Sequence, residues 1–403
     1  MRYVITGGGV AGTTAAEELR KRDASAEIIL VSEEHHPLYS RVLLPHYLKG
    51  KVPRERVFLK KESWYGEHQI EWLTGIVCEH LDTRNKFVGL SDGRELPYDK
   101  LLIATGGQVR PIDHDVRGVS YLRTLDDADH LVQLLAEQPA ISRAGIFGGG
   151  FIACEYLNIF AHFQMPTALF HRGAYFWTRS LEPSAGALIH KHLLEHGVEL
   201  HANTQITQLH GEKSGLKAGS GSAGDLTGIV TAHGEHAVNL LGVGIGIEPD
   251  FSWLQEAGVE TGVGVRANAF LETNVPDVYT AGDIAEFFDP IVERHIQAGN
   301  WMNAMSQGRT VGKSMSGERT EFRLVSSYAT NALGLEIIFV GDVERVAVEQ
   351  VHIVGSVEEG SITQLFERAG RVVGGVMIGR NQDRTLITKA IQERQTVKEL
   401  GIC

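Results

Sequence analysis

What the chain has little of narrows the field before any motif is considered. It holds 3 cysteines in 403 residues. Cys78, Cys154 and Cys403 are far apart, odd in number and without a Cys-x-x-Cys pair, which excludes a disulfide framework, a cysteine metal site and a local dithiol, and fits a reducing cytoplasm. No apolar run reaches the roughly 18 residues that read as a membrane-spanning helix, so no membrane span is expected. The first strand opens by Arg2 or Tyr3, leaving no room for a signal peptide outside the fold. Positive charge is also short. A net charge of −12 and a pI near 5.8 argue against nucleic acid, because its binders need a basic footprint to displace counterions. His35 and His36 adjoin, but no third ligand stands at a matching spacing, so no metal is expected.

What is abundant is glycine, 46 residues of it, and its placement organises the chain. A β-branched and aromatic run, Tyr3 to Thr6, leads into Gly7-x-Gly9-x-x-Gly12 and then into an Ala/Leu/Glu-rich helical pattern. This is the strand, turn and helix of a dinucleotide-binding βαβ unit. Gly7 permits the tight turn, Gly9 lets the backbone approach a pyrophosphate, and Gly12 lets helix and strand pack closely. Val10 and Ala11 open the helix, whose positive end and free N–H groups suit an anion. About 20 residues on, where a ribose hydroxyl needs an acceptor, a buried-strand run ends in Glu33 and Glu34. Glu33 is preferred because it directly follows the apolar strand, and the other carboxylate reads as a solvated loop charge.

The opening pattern then recurs. Ala144 to Phe147 leads into Gly148-x-Gly150-Phe151-Ile152-Ala153 and a helix carrying Glu155, so a second dinucleotide fold lies inside the chain. The strand after it ends in His171-Arg172 instead of a carboxylate. A missing acid and an added arginine favour a ribose with a 2′-phosphate, hence NADPH over NADH; the alternative is that both are surface residues and the enzyme is indifferent. Between the two folds, residues 70 to 105 read as a β-meander closing on a buried strand that ends in Ala104-Thr105-Gly106, where backbone can meet a flat ligand. The stretch from Gly211 to Gly224 reads as a mobile hairpin or loop. Gly244 and Gly246 lie where the chain crosses back to the first domain, and Gly282-Asp283 ends another strand with a carboxylate placed for a cofactor hydroxyl. Trp301 opens a helix, lining a ring or belonging to the core. Lys49, Lys51, Arg54, Arg56, Lys60 and Lys61 form a basic run, either a solvated face or a dock for an acidic partner.

The fold class expected is α/β, with two Rossmann-like dinucleotide-binding domains, the second inserted in the first, and a C-terminal α+β domain. The boundaries expected are 1–115 with 243–318 for the first, 116–242 for the second and 319–403 for the third.

In the order Gly7-x-Gly9-x-x-Gly12, Tyr98 to Gly106, Gly148 to Glu155 and Tyr279 to Asp283, the chain resembles the pyridine nucleotide-disulfide oxidoreductase family. Pro37 to Leu44 and Thr178 to Gly186 resemble rubredoxin and ferredoxin reductases and the flavoprotein portion of NAD(P)H nitrite reductases. The resemblance implies FAD on the first fold, with Glu33 at the adenosine ribose, Arg41 near the pyrophosphate, the backbone of Cys78 near the adenine, Thr105-Gly106 touching FAD and Asp283 at the ribityl chain. It implies NAD(P)H on the second fold, with Glu155 near the nicotinamide and the flavin N5, and Gly246 along the nicotinamide path. Two departures matter. Disulfide members carry a reactive cysteine after the first acidic residue, and Arg41 to Leu48 contains none. The ferredoxin-reductase type has a lysine where this chain has His46, so a His46–Glu155 pair beside the flavin is expected, or else His46 packs in a turn.

The activity expected is an FAD-dependent NAD(P)H oxidoreductase that passes electrons to an external acceptor, an iron–sulfur carrier or a partner reductase subunit, without a redox-active disulfide. The alternatives are a non-catalytic FAD-binding subunit, and an NAD(P)H oxidase or quinone reductase. The residues leave oligomeric state open, with a homodimer one alternative, because the resemblance implies a C-terminal unit of the kind that forms the dimer interface in the wider family.

Overall fold

The computed structural model describes residues 1–137, 143–212 and 224–402. Most of the expected mobile loop, residues 213–223, lies outside them. The chain forms two compact units. The first comprises Met1–Val42, Pro53–Gln108 and Ile247–Leu324, the second Leu43–Val52, Val109–Gly246 and Val325–Cys403.

The first unit is built on a five-stranded parallel sheet in the order Val278–Thr280, Lys100–Ile103, Arg2–Thr6, Glu27–Ser32, Ile70–Thr74. Tyr3, Val4, Ile5, Ile28, Ile29, Leu30 and Val31 are all buried, as continuous apolar runs in a sheet covered on both faces must be. On one face the helix Val10–Arg22 packs Ala11, Ala15, Ala16 and Leu19 into a core shared with Val311 and Met315 of the helix Trp301–Met315. These helices meet backbone to backbone. A Cβ on Gly308 would lie 2.2 Å from the Ala11 carbonyl oxygen, and one on Gly312 2.7 Å from Glu18 Cβ. On the other face an antiparallel sheet of Cys78–Asp82, Phe87–Leu90 and Glu95–Pro97 covers Val4, Ile29 and Leu101. One expectation is corrected. Ile70–Thr74 is the parallel edge strand beside Glu27–Ser32, not the start of the meander. The helix Glu62–Glu67 supplies the crossover that a parallel neighbour needs.

The second unit repeats the plan, with a parallel sheet in the order Val119–Ser120, Leu240–Val243, Ala144–Phe147, Thr167–Phe170, Glu199–His201. The antiparallel strands Ile206–Glu212, Gly224–Thr231 and Gly234–Ala237 form a further sheet, and Leu226, Ile229 and Val238 share a core with Phe147, Phe170 and Leu241. The C-terminal part is a five-stranded antiparallel sheet in the order Ser327–Ala332, Leu335–Gly341, Arg371–Ile378, Ser361–Arg368, Gln350–Ser356. The helix Arg384–Gln392 buries Ile387, Ala390 and Ile391, and Ile387 and Ile391 lie against Gly375 and Gly341 of that sheet. Two parallel-sheet Rossmann-like folds and a C-terminal antiparallel domain are thus present. Among the described residues no helix is long and apolar enough to cross a membrane.

Candidate functional site

The first glycine turn has little slack. The Gly7 amide donates to the Val31 carbonyl at 2.8 Å, and Gly7 holds φ +112°, where a Cβ would meet the Ala104 carbonyl oxygen at 2.2 Å. A Cβ on Gly12 would lie 2.0 Å from the Gly7 carbonyl oxygen. Gly9 differs, since a Cβ there would find nothing within 4 Å. It caps the helix Val10–Arg22 without any side-chain cap hydrogen bond, so the first-turn amides have no intrahelical acceptor. Two neighbours border the turn. Ala104 touches Gly7, while Gly282, at φ +87°, would put a Cβ 3.2 Å from Ala11 Cβ. The Gly282 amide donates to Gln307 Oε1 at 2.7 Å, and Gln297 Nε2 donates to the Asp283 carbonyl at 2.7 Å. The fold thereby brings Gly7–Gly12, Ala104–Gly106 and Gly282–Asp283 to one end of the sheet, with the exposed Thr105 and half-buried Asp283 and Trp301 beside them.

The two carboxylates after Glu27–Ser32 take separate roles. Glu33 is exposed and accepts from Gln108 Nε2 at 2.5 Å. Glu34 accepts from the Tyr39 hydroxyl at 2.5 Å and from Arg41 Nη2 at 2.6 Å, so it holds Arg41 instead of standing in solvent. Cys78 is buried, and burial pushes its thiol up to about 12. Cys154 is fully buried and its thiol is also raised, by burial and then by Glu155. Neither is a thiolate at neutral pH, the form a redox nucleophile needs.

The second turn matches the first. Gly148 holds φ +144°, with its missing Cβ 2.2 Å from the Gly244 carbonyl oxygen, and a Cβ on Gly244 would meet Ile152 Cβ at 2.9 Å. Gly150 caps the helix Phe151–His162 without a side-chain hydrogen bond. The Trp177 indole Nε1 lies 3.8 Å from where a Gly150 Cβ would be, and the Trp177 amide donates to the Gly149 carbonyl at 3.2 Å. Phe151 packs its ring on Trp177, Tyr328 and Phe339 at 5.1 to 5.3 Å. Gly246, at φ +104°, is exposed and its carbonyl accepts from the Arg110 amide at 3.1 Å. His171 and Arg172 part company. His171 is 2% exposed, lies behind Gly149 and packs against Phe176 and His190, and burial, with His190 beside it, pushes it down to about 4. It is neutral at pH 7. Arg172 is exposed.

Glu155 stands half-buried on the Phe151–His162 helix between the buried Cys154 and Tyr156. Burial raises its carboxyl, and the Lys49 ammonium draws it back down. Lys49 itself is lowered by burial and raised by Glu155. His46 is exposed, and it is lowered by burial and then by Lys49 and Lys51. Among charged neighbours, Lys49 lowers the Glu155 carboxyl. The short helix Leu44–Leu48 explains this. It buries Leu44, Pro45 and Leu48 and is anchored by the Tyr47 hydroxyl on Asp129 Oδ1 at 2.8 Å. Lys49, four residues after Pro45, follows the buried face, whereas His46 points away from it.

The profile described as pyridine nucleotide-disulphide oxidoreductase matches residues 1–308. The chain belongs to that family of oxidoreductases. The nitrite reductase [NAD(P)H] of Bacillus subtilis (strain 168) is 26% identical over 406 residues, covering 99% of this chain and 48% of that protein. The chain thus spans about half the length of that relative. The ferredoxin–NAD(+) reductase component of the anthranilate 1,2-dioxygenase system of Burkholderia cepacia is 30% identical over 321 residues, covering 78% of this chain and 75% of that one. Among solved structures, the covalent putidaredoxin reductase–putidaredoxin complex superposes with a TM-score of 0.88 at 24% identity, over 99% of this chain and 95% of that chain, a likeness of fold.

Motif reading missed Lys49, Trp177 and Gln108. Lys49 reads only as part of the basic run, because the helix Leu44–Leu48 before it is too short for its period to stand out. Trp177 stands in a turn and Gln108 in a two-residue strand, both too short for a periodicity to mark them.

Proposed function

We propose that the protein is an FAD-dependent NAD(P)H oxidoreductase that passes electrons to an external iron–sulfur carrier or a partner reductase subunit, without a redox-active disulfide. The observation that carries this reading is the pair of glycine turns, each ending a parallel strand and starting a helix that no side chain caps. Both suit a diphosphate, because the amides at each helix start lack internal acceptors and the helix dipole favours an anion. The space at Gly9, which any Cβ would fill, fits a backbone-to-pyrophosphate approach.

FAD, when bound, accepts two electrons from a reduced nicotinamide and releases them singly or together. The chain's own residues bind and orient. The amides of Val10, Ala11 and Gly12 hold the FAD pyrophosphate with Arg41, which Glu34 fixes in place. Glu33, with Gln108 on one oxygen, keeps the other for the adenosine ribose. The backbone of Cys78 would lie near the adenine, Thr105-Gly106 would touch FAD, and Asp283 would bind the ribityl chain. On the second fold the helix start at Phe151 and Ile152 holds the nicotinamide nucleotide's pyrophosphate, with Trp177 covering the turn and Arg172 reaching a 2′-phosphate. Glu155 orients the nicotinamide, and Lys49 keeps its carboxyl from rising further toward the neutral form.

An external acceptor is favoured because the described cysteines are buried thiols. The ferredoxin reductase component among the relatives supports a ferredoxin-type carrier, and the half-length match to nitrite reductase supports a partner reductase module. The test is FAD-loaded protein with NADH or NADPH, with and without a [2Fe–2S] ferredoxin, following nucleotide oxidation and oxygen uptake together. Ferredoxin-dependent turnover with little oxygen uptake is expected. Oxygen uptake at the same rate without any carrier would make it an oxidase, and no turnover at all would make it a non-catalytic subunit.

A further inference from the structure

On the second unit a carboxylate and two imidazoles converge. Glu199 and His201 sit on the edge strand Glu199–His201 of the parallel sheet, and His236 sits on Gly234–Ala237 of the antiparallel sheet, opposite Ile229. Their ligand-type atoms all lie within 4.8 Å of one another. Phe170 sets both rings. His201 stacks on it at 4.5 Å and 5°, and His236 stands edge-on to it at 5.0 Å and 70°. The two imidazoles are 4.5 Å apart. Glu199 Oε1 lies 2.7 Å from His201 Nε2, while its Oε2 is held by Arg143. His236 Nε2 is buried with no hydrogen-bond partner. A buried unpaired ring nitrogen costs free energy that a ligand to it would recover.

We propose that Glu199, His201 and His236 form a binding site for a divalent transition metal of the zinc class, which clasps the edge of the parallel sheet to the antiparallel sheet. Two imidazoles and one carboxylate are the donor set that zinc, cobalt or nickel takes in three-ligand sites, with water in the fourth position. Calcium and magnesium, which want oxygen donors, are excluded by the same chemistry. In a tetrahedral site with bonds of about 2.0–2.1 Å the ligand atoms stand roughly 3.3 Å apart. Glu199 Oε1 and His201 Nε2, at 2.7 Å, now lie closer than that and His236 stands further off, so seating the metal among them requires the exposed Glu199 to turn. Arg143 has its own oxygen of Glu199 and need not leave it. Burial, followed by Arg143, lowers His201, and burial, followed by His201 and Arg143, lowers His236, which favours the neutral rings that bind metal. The residue chain also ties the site to the nucleotide side, because the His171 amide donates to the His201 carbonyl at 3.1 Å. Motif reading had no access to this group, whose members are split between neighbouring and distant positions.

The test is calorimetric titration of the FAD-loaded, metal-stripped protein with Zn²⁺ alone, repeated on His236→Ala, His236→Gln and His201→Ala, with thermal unfolding of each. One equivalent bound at micromolar Kd or tighter, weakened at least tenfold in each variant, with a zinc-dependent rise in Tm that the variants lose, is the expected result. The helix pair His192 and His196, with rings 4.1 Å apart, is the rival surface site. The double variant His192→Ala/His196→Ala keeps full binding if the assignment holds. No stoichiometric binding, or binding lost in that double variant and kept in His236→Gln, overturns it. Wild-type circular dichroism and wild-type thermal unfolding of the metal-free His236 variants show that they remain folded.

Discussion

Replacing Gly9 with alanine separates ligand binding from folding. Gly9 has φ −70°, which alanine adopts freely, and the new Cβ meets nothing within 4 Å. At the helix cap, alanine in place of glycine costs from a few tenths to about 1 kcal/mol. The loss of unfolded-state freedom returns about 0.4–1 kcal/mol. The apo chain is therefore expected to unfold within about 1 kcal/mol of wild type. With FAD the outcome changes, because the methyl occupies the space where backbone would approach the pyrophosphate. Overpacking of that kind costs about 1–3 kcal/mol, which is a roughly 5- to 150-fold rise in Kd. Thermal unfolding of the apo chain gives the first quantity, and titration of flavin fluorescence the second. Wild-type FAD affinity in Gly9→Ala would refute the reasoning that the diphosphate lies against this turn. Gly12→Ala is the control. Its Cβ would lie 2.0 Å from the Gly7 carbonyl oxygen, so it destabilises the apo chain itself, by about 1–3 kcal/mol or more.

Other perturbations probe the second fold. Lys49→Met removes the charge that draws the Glu155 carboxyl down, so the pH profile of flavin reduction moves to higher pH, while His46→Ala leaves it in place; stopped-flow reduction across pH reads both. Arg172→Ala lowers the rate and affinity with NADPH by about tenfold, the loss of one charge-assisted phosphate contact, and spares NADH, as steady-state kinetics with each nucleotide would report. His171 contributes a pH dependence of stability. Its folded value of about 4 lies below its ordinary 6.5, so the unfolded chain binds the extra proton between those values. Stability is then full above about pH 6.5 and falls by roughly 3 kcal/mol as pH drops to 4, at about 1.4 kcal/mol per unit. Denaturant titrations at a series of pH values should show this slope flattened in His171→Leu.

The parts of the fold that were legible in the amino-acid order are those governed by short-range rules. Gly7-x-Gly9-x-x-Gly12 and Gly148 to Ala153 announced themselves because Gly7, Gly12 and Gly148 each answer a local steric demand, a positive φ or a contact near 2 Å that any Cβ would violate, while Gly9 and Gly150 stand at the helix caps. The apolar runs Ile28–Val31 and Ala168–Phe170 read as buried strands for the same local reason. Partner choice was less legible. Ile70–Thr74 alternates like a meander strand, yet pairs in parallel, because the preceding helix Glu62–Glu67 carries the chain across. His171 reads as a polar strand end but is buried against Phe176 and His190, which come from later in the chain. Lys49 answers Glu155 through a helix too short for its period to stand out. The Glu199, His201 and His236 group joins strands of different sheets, a proximity that no spacing encodes.

The central claim is that reduced nicotinamide delivers its electrons to a flavin held by this chain. Its most direct test is anaerobic stopped-flow absorbance of the FAD-loaded protein mixed separately with NADH and NADPH, following the flavin band. Rapid bleaching by at least one nucleotide, slowed in Glu155→Gln, is the result predicted. A flavin that stays oxidised with both nucleotides, although FAD is bound, would contradict it.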